Sequence, residues 1–86
     1  MLELYHADHS VCAQKVRLAL AEKKLDWHSH ILDLMVGDQF KPAYRNINPG
    51  AVVPTLVHDG RVVIESAVIN EYIDDEFPDP ALRPAN

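Results

Sequence analysis

The chain has 86 residues, of which 48% are apolar and 24% charged, with a net charge of −5 and a sequence pI near 5.3. That length fits one domain on the scale of roughly 100–200 residues each, and the composition excludes a disordered tail. The longest apolar run, Leu18 to Ala21, is far too short for a membrane helix, and the net negative charge argues against a nucleic-acid backbone as partner.

Residues 2–5 read as a short opening strand, and 6–9 as a polar turn. Ala13, Val16 and Leu20, with Leu18, Ala21 and Leu25, recur at intervals of three and four, which predicts an amphipathic helix over 10–24. Ser10 stands where a hydroxyl caps the first turn, and Lys23 and Lys24 stand where positive charge complements the helix dipole. Lys15 and Arg17 are expected on the solvated side of this helix. Residues 26–34 alternate loosely and predict a second strand, followed by a loop over 35–39. A short helix over about 39–47 places Phe40, Ala43, Tyr44 and Ile47 on one side, tolerates Pro42 in its first turn, and stops at Asn48-Pro49-Gly50.

Thr55–His58 and Arg61–Ile64 flank Asp59-Gly60, a hairpin signal. Ser66, as cap, opens a last helix with Ile69, Tyr72, Ile73 and Phe77 as its stripe, and Pro78 and Pro80 end it. Glu71, Asp74, Asp75, Glu76 and Asp79 against Arg83 give the last sixteen residues −4, read as a solvated helix end; the first seventy carry −1. A small anion can therefore approach the first seventy residues without strong repulsion. The order predicts an α/β fold, βαβαββα, with a mixed four-stranded sheet and helices on both faces. Residues 1–80 form the domain, and 81–86 begin a linker.

Three places carry chemistry. Ser10-Val11-Cys12 begins a helix whose unpaired N–H groups favour a thiolate, either that of Cys12 or that of a ligand receiving a hydrogen bond from Ser10. Val53-Pro54 precedes a strand, where a cis bond would turn the Val53 backbone outward to pair with an extended peptide. Glu65-Ser66 lies at a strand-to-helix junction, where the serine and the helix start can hold a carboxylate and the glutamate an ammonium group. His28 and His30 share a strand face without a third ligand, so no metal is expected. The single cysteine, Cys12, excludes an internal disulfide. The N-terminus lacks a signal-peptide pattern, so a cytoplasmic location is expected.

These pieces occur together in one family. Asn48-Pro49 followed by Val53-Pro54-Thr55-Leu56, and Glu65-Ser66 followed by Ile69 and Tyr72-Ile73-Asp74, resemble the N-terminal, thioredoxin-like domain of glutathione transferases over about residues 2–80. The run from Ser10 through Cys12 to Leu20 is similar to the Ser-x-Cys start of zeta-class and dehalogenase-type members. Val11 stands where zeta enzymes carry a second serine, and Gln14 where they carry an aromatic or basic residue. The resemblance implies that Ser10 activates the thiol of glutathione as co-substrate and that Cys12 matches the motif cysteine. It further implies that Val53, ahead of a cis Pro54, pairs with the cysteinyl amide. Glu65 and Ser66 would grip the γ-glutamyl end, and Gln39 would lie near the glycyl end.

It also implies a helical C-terminal domain beyond residue 86 that supplies the pocket for a small electrophile and much of a homodimer contact, in a cytoplasmic detoxification enzyme. The isolated domain is then expected to be weakly active or inactive. Two other readings are glutathione thiol exchange or reductive dehalogenation at Cys12, and a non-enzymatic domain of the same fold that binds a protein.

Overall fold

The computed structural model describes residues 1–8 and 10–78. Its elements are β1 (Leu2–His6), α1 (Val11–Glu22), β2 (His28–Ile31), 3-10 turns at Leu34–Val36 and Asp38–Phe40, α2 (Pro42–Arg45), β3 (Thr55–His58), β4 (Arg61–Ile64) and α3 (Ser66–Glu76). The sheet order is β2-β1-β3-β4, with β1 and β2 parallel and the other neighbours antiparallel. The βαβαββα order and mixed sheet are those expected. The linker assigned to 81–86, and Pro80 as a helix stop, lie outside the described residues.

Alternation along the strands sorts side chains to two faces. Leu2, Leu4 and Leu56 meet Val16 and Leu20 of α1 and Ile69 and Ile73 of α3 in one core, edged by Leu25, Trp27 and Val63. Each fully buried leucine or isoleucine there contributes about 1.5–3 kcal/mol. Tyr44 of α2 lies on the opposite face, its ring 5.6 Å from that of Tyr5, which stacks on His30 at 4.3 Å. His30 Nε2 lies 3.1 Å from Glu3, and no metal-holding group of three or more His, Cys, Asp or Glu occurs among the described residues. No described helix is long and apolar enough to cross a membrane.

Four local expectations are corrected. The second strand is shorter than 26–34, because Asp33 accepts from Met35 N–H and starts a 3-10 turn. The helix expected over 39–47 is one turn: Gly37 adopts φ 79, and Lys41, preceding Pro42, is held extended at ψ 143. Leu18 is exposed and not part of the stripe. Lys23 does not serve the dipole in solvent. Its side chain is buried, with Nζ 3.0 Å from Asp74 Oδ1 and donating to the Phe77 carbonyl, so the supposedly solvated acidic end of α3 contributes a buried ion pair to the α1–α3 seam.

Candidate functional site

The register puts the C-terminal ends of β1 and β4 beside the start of β3: Tyr5 pairs with Thr55, and Thr55 with Ile64. The turns leading into α1, β3 and α3 therefore share one end of the sheet, and the site is built there.

The wall before β3 hangs on Asn48. Its side chain is buried; Nδ2 donates to the Val52 carbonyl at 3.2 Å and to Thr55 Oγ1 at 3.1 Å, and Oδ1 accepts from Gly50 N–H at 2.9 Å. Tyr44 donates to the same Val52 carbonyl and accepts from Thr55 at 2.7 Å. Burial pushes the Tyr44 phenol above its ordinary range, so it stays a neutral donor. The loop so held carries Ala51 at φ 55 and a cis Val53–Pro54 bond. Among the described residues, no hydrogen bond uses the backbone of Val53.

Across from it, Glu65 links β4 to α3 at φ 70, ψ 123, where a non-glycine residue costs about 1–3 kcal/mol. Glu65, not Ser66, occupies the N-cap position, and it makes no side-chain cap bond. Ser66 is the first helical residue, which corrects its expected role as cap. The first-turn N–H groups of α3 are thus left without a side-chain acceptor from the cap.

The third wall is the start of α1. Ser10 is the N-cap, as its sequence position indicates, its hydroxyl oxygen accepting from Ala13 N–H at 3.1 Å. An oxygen that accepts this bond keeps its own O–H free to donate. Cys12 is exposed in the first turn. Arg17, expected on the solvated side of α1, turns inward instead. It donates to the Ala7 carbonyl at 3.1 Å and to His6 Nδ1 at 3.0 Å. Burial chiefly, and then the Arg17 charge, lower the His6 pKa and favour the neutral ring. Because Arg17 only donates, Nε2 carries the proton and gives it to Ser29 Oγ at 2.6 Å.

Between these walls lies a cleft of about 550 Å³, lined by Cys12, Val53, Pro54, Glu65 and Ser66 together with Asn48 and its neighbours. That volume suits a small ligand. Five of the residues singled out from sequence therefore meet. Ser10 is not on the lining itself but two residues before Cys12. Gln39 is apart from it: its Nε2 reaches the Leu34 carbonyl at 3.4 Å, and its Oε1 is buried with no partner among the described residues. A second hollow, of about 340 Å³ beside Tyr5 and His30, has its charged rim already paired, Lys41 to Asp38 at 2.7 Å. Sequence reasoning missed Asn48, Tyr44 and Thr55 as a buried unit. Asn48 and Thr55 stood in the sequence as a helix stop and a strand start within the family motif, with nothing to mark them as hydrogen-bond partners of each other and of Tyr44.

A family model for the glutathione S-transferase N-terminal domain matches residues 9–76. Glutathione S-transferase Z1 of Arabidopsis thaliana is 46% identical over 84 residues, covering 96% of this chain and 38% of that protein. A probable maleylacetoacetate isomerase of Caenorhabditis elegans is 42% identical, covering 94% and 37%. Among solved structures, the β-etherase LigF of Sphingobium sp. strain SYK-6 superposes with a TM-score of 0.94 at 39% identity, over 99% of this chain and 36% of that one. The chain thus spans less than two-fifths of the length of these relatives. The fold is that of a thioredoxin-like domain, with the cleft at the starts of α1 and α3. The chain belongs to the glutathione S-transferase family, as an N-terminal domain with zeta-class relatives.

Proposed function

We propose that this chain binds glutathione in the cleft and presents its thiol for attack on a small electrophile. The observation that carries this reading is the convergence of Cys12, Val53, Pro54, Glu65 and Ser66 on one cleft from three separate turns. The unpaired Val53 backbone offers an acceptor and a donor to the cysteinyl amide of an extended tripeptide. The α3 start and Ser66 receive the γ-glutamyl carboxylate, and Glu65 its ammonium group. The Ser10 O–H, free of the cap bond, donates to the thiolate and lowers the thiol pKa. Gln39 attends the glycyl end.

Residues 1–80 then supply the glutathione half of a site, and 81–86 lead to a helical domain holding the electrophile and much of a homodimer contact, in a cytoplasmic detoxification enzyme. With one half-site the chain conjugates weakly or not at all, since the reaction needs both reactants held together. Titrating the isotope-labelled chain with glutathione tests this. Saturable amide shifts at Val53, Glu65 and Ser66 are expected; a folded spectrum unmoved at millimolar glutathione refutes binding by this half-site alone, leaving either a site completed by a further domain or a protein-binding role.

The exposure of Cys12 on the cleft wall favours a second chemistry at the same site. Its thiolate attacks glutathione disulfide, forming a mixed disulfide and releasing glutathione thiolate; reductive dehalogenation would draw on the same sulfur. Cys12→Ser separates the two, abolishing mixed-disulfide formation by mass spectrometry while leaving reduced glutathione bound.

A further inference from the structure

Arg17 lies seven residues along α1 from Ser10, yet the two meet at one atom. The Ala7 carbonyl accepts from Ser10 N–H at 3.2 Å and from the Arg17 guanidinium at 3.1 Å. The same guanidinium nitrogen binds Nδ1 of His6, the last residue of β1. His6 is buried, and its other nitrogen is tied to Ser29 on β2. One side chain therefore joins the end of β1, the turn after it and the body of α1, and through His6 it reaches the neighbouring strand. The Ser10 hydroxyl is fixed from the other side by Ala13 N–H, and the Ser10 carbonyl accepts from Gln14 N–H at 3.0 Å. Ser10 has little freedom left while Arg17 is in place.

We propose that Arg17 is a positioning residue for Ser10. By holding the Ala7 carbonyl against the end of β1, it aims the Ser10 O–H at the ligand sulfur. The inference rests on the reading of the cleft as a glutathione site and adds to it a residue outside the cleft lining. A guanidinium suits the task because it donates to two acceptors from one planar group and stays charged throughout the working pH range. Without it, the Ala7 carbonyl keeps one of its two bonds and the buried His6 Nδ1 loses its donor. The turn then has no reason to hold Ser10 at a single angle.

The test compares binding of glutathione with that of S-methylglutathione between pH 6 and 9, by calorimetry on the 86-residue chain. The methylated ligand keeps every backbone and γ-glutamyl contact and has no thiolate, so the ratio of the two affinities isolates what Ser10 does. In the wild type, glutathione gains over its S-methyl form as pH rises. Ser10→Ala is expected to reduce that gain roughly tenfold, the worth of a hydrogen bond to a charged acceptor. Arg17→Met is expected to reduce it by a similar factor while leaving S-methylglutathione affinity within about twofold, and Arg17→Lys to restore part of it. The double variant Ser10→Ala with Arg17→Met is expected to match Ser10→Ala alone.

An undiminished gain in folded Arg17→Met overturns the proposal. So does an equal loss for both ligands, which marks a general structural role, or additive losses in the double variant. Should Arg17→Met not fold, Arg17→Lys with an undiminished gain and a displaced Ser10 amide resonance overturns it equally. A folded wild type that binds neither ligand overturns the glutathione reading itself, and the proposal with it.

Discussion

Replacing Asn48 by alanine tests whether the cleft wall is held by its buried polar group. The three hydrogen bonds of this side chain go to neutral partners and are worth about 1 kcal/mol each. Their loss is partly offset. Gly50 is exposed, so water can replace the partner of its N–H, and both the Val52 carbonyl and Thr55 keep their bonds to Tyr44. Asn48 as a residue is 2% exposed, so truncation also leaves a hole. The sum is about 2–3 kcal/mol, a large share of the roughly 4–13 kcal/mol expected for a domain of this size. Asn48→Asp keeps the size but turns two donor contacts into a carboxylate facing the Val52 carbonyl and Thr55, and is expected to cost more than alanine. Urea unfolding with an unchanged slope measures both, and hydrogen exchange of Ala51 N–H, bonded to the Asn48 carbonyl at 3.0 Å, reports the loop. A loss below about 0.5 kcal/mol for alanine, or aspartate milder than alanine, would refute the reasoning.

Asp74→Ala removes the carboxylate beside buried Lys23 and is expected to destabilise by about 3–5 kcal/mol in chemical denaturation, whereas Lys23→Met with Asp74→Leu comes out near neutral. His6, whose pKa is lowered by burial and then by Arg17, binds its proton more readily in the unfolded chain, so stability falls as pH drops below the unfolded value of about 6.5 and levels off once the folded ring titrates. His6→Asn should flatten the slope between about pH 7 and 5 in thermal melts, by one proton at most. Glu65→Gly relieves the positive φ and is expected to stabilise by about 1 kcal/mol in urea, while weakening glutathione through loss of the ammonium partner. A destabilised Glu65→Gly would show that the backbone there is not under strain.

What the sequence made legible was local. The α1 stripe and its Ser10 cap depend on spacing within one helix, and the Asp59-Gly60 turn on two adjacent residues, at φ 50 and φ 89 in the structure. Cys12, Val53, Pro54, Glu65 and Ser66 fell into place because each marks the junction of two elements, and the register brings those junctions together. The misread residues depend on partners far along the chain. Lys23 looks like a dipole-complementing surface lysine until α3 delivers Asp74, and Arg17 looks solvated until β1 ends on His6. Over 37–42, a glycine in the left-handed region and an extended residue before proline outweigh a weak apolar period, and no stripe in the sequence records that contest. Asn48 gave no sign that its amide, and not its turn propensity, mattered.

The Asp59-Gly60 turn joins β3 to β4 at the opposite end of the sheet from the Val53, Glu65 and Cys12 junctions. The two ends of one small sheet therefore carry different structural constraints. Asp59 and Gly60 at the tip are exposed, and the Asp59 N–H and carboxylate bond Met1 just before β1, so a change there reaches the first residue of the chain and none of the residues lining the cleft. At the other end, three short junctions carry every proposed contact except that of Gln39, and a single inserted residue in any of them would shift the rest. Change in such a domain is tolerated best at the tip and worst at the junctions, so the tip is the place to attach a label without disturbing the proposed contacts.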